Sequence, residues 1–225
     1  MLTFALLVRC IKNVFFGIDM LNKFKLMIAV LLLSAMTLAL AVAPDEIVRK
    51  NTAEILAMLK ADKGLAAGDP AKVEKLANEK ILPYFNFQRM TQLAVGRAWR
   101  DASDAQKAAL INEFRRLLVR TYSSSLSQFK NQLIEVRPLK LSSTDTEVVV
   151  KTTILQSGGP GVPIDYSMEK SAGAGGDWKV FDVLIDGVSL VTNYRSSFAT
   201  EIKAAGIDGL IKSLSERNAK NAAKK

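Results

Sequence analysis

The 225-residue sequence contains no histidine and a single cysteine, Cys10. Without histidine there is no Ser-His-Asp triad and no imidazole to hold a metal ion. Cys10 lies in an expected leader, so the exported chain would have neither a disulfide nor a thiol nucleophile. Phosphate loops of the P-loop or dinucleotide type are missing too. The glycine clusters around Gly158 and from Gly173 to Gly176 stand between strand patterns, not between a strand and a helix. Asp182 with Asp186 and Asp101 with Asp104 are carboxylate pairs. The first pair flanks a strand end. The second lies at a helix start, where the dipole favours acidic side chains. Arg115, Arg116 and Arg120 form a basic helix face, but no aromatic residues accompany it to stack on bases, so it reads as solvated surface and no nucleic-acid partner is expected. No cofactor or metal is expected either. An enzyme on this scaffold would have only Asp182 and Asp186 as acid or base near its central strand.

A leader comes first. Leu26 to Leu40 is a continuous, largely apolar run behind Lys23 and Lys25, and Ala41-Val42-Ala43 follows as a small-residue cleavage pattern. These features predict a secretory signal peptide over residues 1–43, its apolar run short for a membrane span. Met20 opens a complete leader by itself, so residues 1–19 read as an extension upstream of the true start. Export of a chain without cysteine suits a bacterial periplasm, where disulfides are permitted but not required. Four of the 31 basic and one of the 22 acidic residues precede Pro44, which leaves 27 against 21, a net charge of +6. That field favours anionic partners such as phospholipid headgroups or acidic protein surfaces.

The rest reads as one domain over residues 44–215 followed by a basic, disordered tail over 216–225. Pro44 to Leu65 has the spacing of an amphipathic helix. Asp69-Pro70 opens a second helix, ended by Pro83, and Asn86 caps a third that stops at Gly96. Ser103 and Gln106 form a capping box before the longest helix. After Phe129 the period changes to that of strands: Leu133–Leu141, Thr146–Gln156, Val162–Lys170 and a fourth from Asp177. Short turns between them imply an antiparallel meander. Asp186-Gly187 breaks the last strand, and helices over Ser189–Ala205 and Ile207–Leu214 close the chain. The fold class is α+β: a four-stranded antiparallel sheet covered by N-terminal and C-terminal helices.

With catalytic chemistry largely excluded, apolar surface remains. Val148, Val150, Ile154, Tyr166, Met168, Val180 and Leu184 belong to inward strand faces. Leu117, Leu118, Tyr122, Leu190, Tyr194 and Phe198 can face them from helices. A filled core and a hollow one give the same alternation.

Trp178-Lys179-Val180, Asp182-Val183, Gly187 to Val191, Asn193 to Ser196 and Phe198 together resemble the toluene-tolerance family, which includes the phospholipid-binding proteins of the Mla pathway of lipid asymmetry. The blocks Leu82 to Trp99, Ser103 to Gln106 and Leu117 to Leu126 match in character as well. The resemblance implies a monomeric, non-enzymatic periplasmic carrier with an NTF2-like or cystatin-like sheet-and-helix arrangement. The thirteen apolar residues above would then enclose the acyl chains of a phospholipid ligand, with Arg195 as a possible headgroup contact. Its implied partners are an inner-membrane ABC transporter complex and an outer-membrane lipoprotein–porin complex. The alternative is a periplasmic carrier or chaperone for lipoproteins or other hydrophobic ligands.

Overall fold

Side-chain caps decide where the helices start. The structure is a computed structural model and describes residues 42–126, 132–155, 159–171 and 177–223. All of the expected leader except Val42 and Ala43 lies outside these residues. Helix α1 (Pro44–Ala61) has Pro44 in its first turn with Asp45 and Glu46, both suited to a helix N-terminus. It stops short of the expected Leu65. Asp62 turns extended and caps a new helix, α2 (Lys63–Ala67), by accepting from the Gly64 and Leu65 amides. Asp69 caps α3 (Pro70–Leu76) as expected. The chain then passes through a π turn at Ala77–Ile81 and a 3-10 turn at Leu82–Tyr84. Asn86 caps α4 (Phe87–Val95) through the Arg89 amide at 3.0 Å. The Ser103–Gln106 capping box closes in both directions, at 3.2 and 2.9 Å, at the start of α5 (Asp104–Leu126).

One antiparallel sheet follows, its strands in sequence order: β1 (Leu133–Val136), β2 (Glu147–Leu155), β3 (Val162–Lys170), β4 (Trp178–Ile185) and β5 (Val188–Ser189). The α+β class and antiparallel order are as expected. Differences are confined to the ends. β1 stops before the expected Leu141, and a fifth, two-residue strand is added. Asp186 (φ 50°) and Gly187 (φ 78°) form a tight turn of two positive-φ residues, which lays Val188-Ser189 against Leu184-Ile185 before the helix begins. The expected turn at Gly173 to Gly176 lies outside the described residues.

A β-bulge changes which side chains of β4 face inward. Ile164 pairs with Ile185, Tyr166 with Val183 and Ser167 with Asp182, but Met168 pairs with Val180. Phe181 is the extra residue, and alternation inverts across it. The inward set is therefore Trp178, Val180, Val183 and Ile185. Leu184, expected on the inner face, stands opposite Asp165 on the other one.

The last helix, α6 (Leu190–Ala223), breaks at Gly206, whose φ of 71° and ψ of −174° lie outside the helical region. Glu201 joins the two halves, accepting from Arg217 at 2.6 Å and Ser197 at 3.1 Å. The disordered tail expected from residue 216 is not found up to Ala223. Asn218 has no accessible surface and donates to the Glu113 carbonyl at 3.0 Å and its carboxylate at 2.7 Å. A polar residue docks this segment on α5, so no apolar period marked it.

Among the described residues the interior consists of three apolar clusters. The first joins α4, α5 and both halves of α6 around Met90, Leu110, Phe114, Phe198, Leu210 and Leu214. The second lies between the sheet and α1, around Val48, Val150, Met168, Trp178, Val180 and Val183. A smaller third joins α1 to α2 and α3 through Leu59, Leu65, Val73 and Leu76.

Candidate functional site: an apolar seam between sheet and helices

The site residues expected from the sequence divide between the first two clusters. Leu117 and Leu118 of α5 and Phe198 of α6 are buried in the helical one. There Phe114 meets Tyr194 edge-on at 5.0 Å between ring centroids and Phe198 at 5.2 Å, so the rings interlock. Tyr122 and Tyr194 are half-buried at its border. Burial and the neighbouring Tyr194 phenol push the Tyr122 hydroxyl up from its ordinary range.

On the sheet, Val150, Met168 and Val180 are buried, whereas Val148, Tyr166 and Leu190 are packed against that cluster yet keep accessible surface. Ile154 is buried near the β1 edge, between Ile134 and Val162, in neither cluster. Leu184 is not among these residues because of the bulge. Val183 and Ile185 take its place. The sequence reading also missed Ile47 and Val48 of α1 as site residues. It missed Phe85, which bridges to Val180 and packs against both clusters. No local pattern marks such a long-range pairing.

Tyr166 carries the most information. Burial alone pushes its phenol up to about 12, which places it deep in the protein, yet the side chain is only half-buried by surface. It packs against the sheet cluster while keeping accessible surface. Ile47, Val148, Ile164, Ile185 and Leu190 around it are half-buried as well. A domain of this size usually has one contiguous core with satellites. Here the core is divided: Phe85 packs against both large clusters, and half-buried apolar side chains border the sheet cluster.

Polar chemistry at this seam is structural. Asp182 is buried, and its carboxylate accepts from the Val183 amide at 2.8 Å, the Val191 amide at 3.1 Å and the Ser189 hydroxyl. It ties β4 to the first turn of α6 and has no role left for a proton in transit. Asp186 is exposed in the turn. Among the described residues no group of three acidic, cysteine or histidine side chains can hold a metal ion, and no helix is long and apolar enough to cross a membrane. Arg195 is exposed on α6 beside Gly96, where a Cβ would stand 3.1 Å from the Arg195 Nε. Among the described residues it has no carboxylate partner.

Known proteins share this arrangement. The family model described as MlaC protein matches residues 49–216. The intermembrane phospholipid transport system binding protein MlaC of Haemophilus influenzae is 21% identical over 169 residues, covering 75% of this chain and 79% of its own. The toluene tolerance protein ttg2D of Pseudomonas putida is 26% identical, over 75% of this chain and 77% of its own. Among solved structures, a phospholipid-binding protein from Ralstonia solanacearum, in complex with a phospholipid, is 37% identical. It matches 80% of this chain and 99% of its own with a TM-score of 0.73. A divided apolar interior on this fold, with a family match over most of the chain, makes this protein a member of the MlaC family.

Proposed function

We propose that this chain binds and transports phospholipid, holding the acyl chains between the inner face of the sheet, α1 and the α5–α6 pair. The observation that carries the reading is the half-buried ring of Tyr166 among the half-buried apolar residues packed against the sheet cluster, which stays separate from the helical one. The phospholipid-bound Ralstonia relative and the transport named for the Haemophilus one support it. Catalysis is not part of the function, since the family consists of lipid-binding transport proteins.

The energetics suit a carrier. Two acyl chains with about thirty methylenes gain roughly 25 kcal/mol on leaving water, at about 0.8 per methylene. A bilayer gives nearly the same, so loading and release are close to neutral. The carrier removes the barrier of aqueous passage. Aliphatic and aromatic walls with few polar anchors serve this purpose and select weakly among chains.

In the finer reading, the protein acts as a monomer in the periplasm, after removal of the leader. It exchanges phospholipid between an inner-membrane ABC transporter complex and an outer-membrane lipoprotein–porin complex, and so maintains the lipid asymmetry of the outer membrane. The walls are Tyr122, Val148, Tyr166, Leu190 and Tyr194, backed by the packed residues Leu117, Leu118, Val150, Ile154, Met168, Val180 and Phe198. Arg195 would meet a headgroup outside. Native mass spectrometry of protein purified without detergent tests the ligand: a bound mass equal to a glycerophospholipid is expected. A repeatable absence of phospholipid, or a bound acylated peptide in its place, would sink the reading.

A further inference from the structure

The three arginines on the outer face of α5 differ in what they meet. Arg116 pairs with Glu113 at 2.9 Å, and Arg120 donates to the Asn218 carbonyl. Arg115 is different. It opens onto a cleft of about 540 Å³ beside the π turn, with Lys179 of β4 also on its lining. That volume lies within the range of small-ligand sites. No carboxylate lines it. Arg115 Nη2 donates to the Asn78 side-chain oxygen at 3.1 Å, and Lys179 Nζ donates to the Pro83 carbonyl at 2.8 Å. Both partners are neutral, so the cleft keeps two positive charges that nothing in its wall cancels. A concave site concentrates such a field more than an exposed residue like Arg195 does.

The cleft is also amphiphilic. Phe85 and Phe87 line it with their rings stacked 5.8 Å apart, and Arg115 lies 5.9 Å from the Phe87 centroid. Phe85 is the residue that packs against both large apolar clusters. One wall therefore continues into the seam while the other presents a guanidinium and an ammonium. An arginine fork and a lysine point charge on one concave face suit a phosphate.

We propose that this cleft is a phosphate site, and that Arg115 and Lys179 hold the phosphodiester of the phospholipid whose chains lie beyond Phe85. The proposal rests on the phospholipid-carrier reading and deepens it. A free phosphate compound has the same chemistry and is separated by the test. The full chain, stripped of lipid, is offered mixed vesicles of dioleoyl phosphatidylglycerol and dioleoylglycerol. These have the same chains with and without phosphate. Mass spectrometry reads the bound ratio. The expected result is a preference of about tenfold or more for the phosphate-bearing lipid, the scale of one charge-assisted contact. In R115Q/K179Q that preference should largely vanish while dioleoylglycerol is still taken up. Asn78→Asp, which adds a carboxylate without removing either cation, should weaken it too, and it replaces the double variant if circular dichroism shows that variant unfolded.

An unchanged preference in these variants overturns the assignment and leaves the carrier reading intact. So does a preference lost in Arg195→Gln alone. Saturable binding of inorganic phosphate, followed by phosphorus NMR and not displaced by lipid, would make the cleft a site for a soluble phosphate and overturn the headgroup role. Failure of the unmodified chain to take up either lipid would instead defeat the carrier reading.

Discussion

In the helical cluster Leu110, Phe114, Phe198, Leu210 and Leu214 have no accessible surface, whereas on the sheet only Val150 and Met168 reach that state. Both regions use aliphatic and aromatic side chains at regular spacing. They differ in how large rings are met. Two helices, α5 and the first half of α6, bring Phe114, Tyr194 and Phe198 together at 5.0 to 5.6 Å, and the rings fill the space. The sheet's inner face meets α1 mainly through Ile47 and Val48, and Tyr166 finds no aromatic partner among the described residues. That face keeps half-buried apolar side chains where the helical cluster is closed. Alternating apolar residues therefore place side chains inside without deciding whether that inside is full.

Substitutions in the closed region should hurt folding, and those at the seam should hurt lipid uptake. Phe114→Ala should cost about 3–5 kcal/mol in a denaturant titration, because it removes the ring at the centre of the triplet. Asp182→Ala should cost about 2 kcal/mol: it removes three hydrogen bonds and takes the carboxylate acceptor from the buried amides of Val183 in β4 and Val191 at the start of α6. Lipid uptake by the folded fraction should stay unchanged, and a specific loss there would mean the carboxylate does more than join β4 to α6.

Val148 and Val150 are a matched pair, two residues apart on one face of β2. Val150 is closed and Val148 is half-buried. Val150→Trp should lower stability by about 1–3 kcal/mol and uptake with it. Val148→Trp should lower uptake severalfold at nearly unchanged melting temperature. Equal losses in both variants would erase the contrast between packed core and open wall.

The smallest effect concerns alkali. The Tyr166 phenol is raised to about 12, so its neutral form is favoured in the fold. That contribution is fully present below the ordinary tyrosine value of about 10 and is lost as pH rises from there toward 12. Ultraviolet titration should show a phenol near 12, distinct from the raised Tyr122 and absent in Tyr166→Phe. A normal titration at that position would place Tyr166 in open solvent.

Features that depend on a few neighbouring residues were legible in the sequence. Asp69, Asn86 and the Ser103–Gln106 pair cap the helices they were expected to cap, because a cap is chemistry within four residues. The break at Asp62 was not legible, since Leu65 continues the apolar period across it. β4 misled for a related reason: Val180, Phe181, Val183, Leu184 and Ile185 are nearly all apolar and carry no phase, so nothing revealed the inversion. Asn218 was hidden by its polarity and Phe85 by the distance in sequence to Val180. Most of the apolar site residues were correctly placed inside. Their division into closed core and open wall depends on packing between elements far apart in the chain.

The extra residue in β4 also sets rules for how this strand can vary. Phe181 lies under the Arg89 guanidinium, 3.7 Å from it, and Arg89 is tied to Glu147 at 2.7 Å and to Glu169. An offset that would turn the rest of a strand inside out is thus clamped from the solvent side. Before the clamp, even-numbered positions carry the inward apolar side chains; beyond it, odd-numbered ones do. A lysine introduced at Leu184 should be accepted where one at Val183 is not, although the two stand side by side in one apolar run.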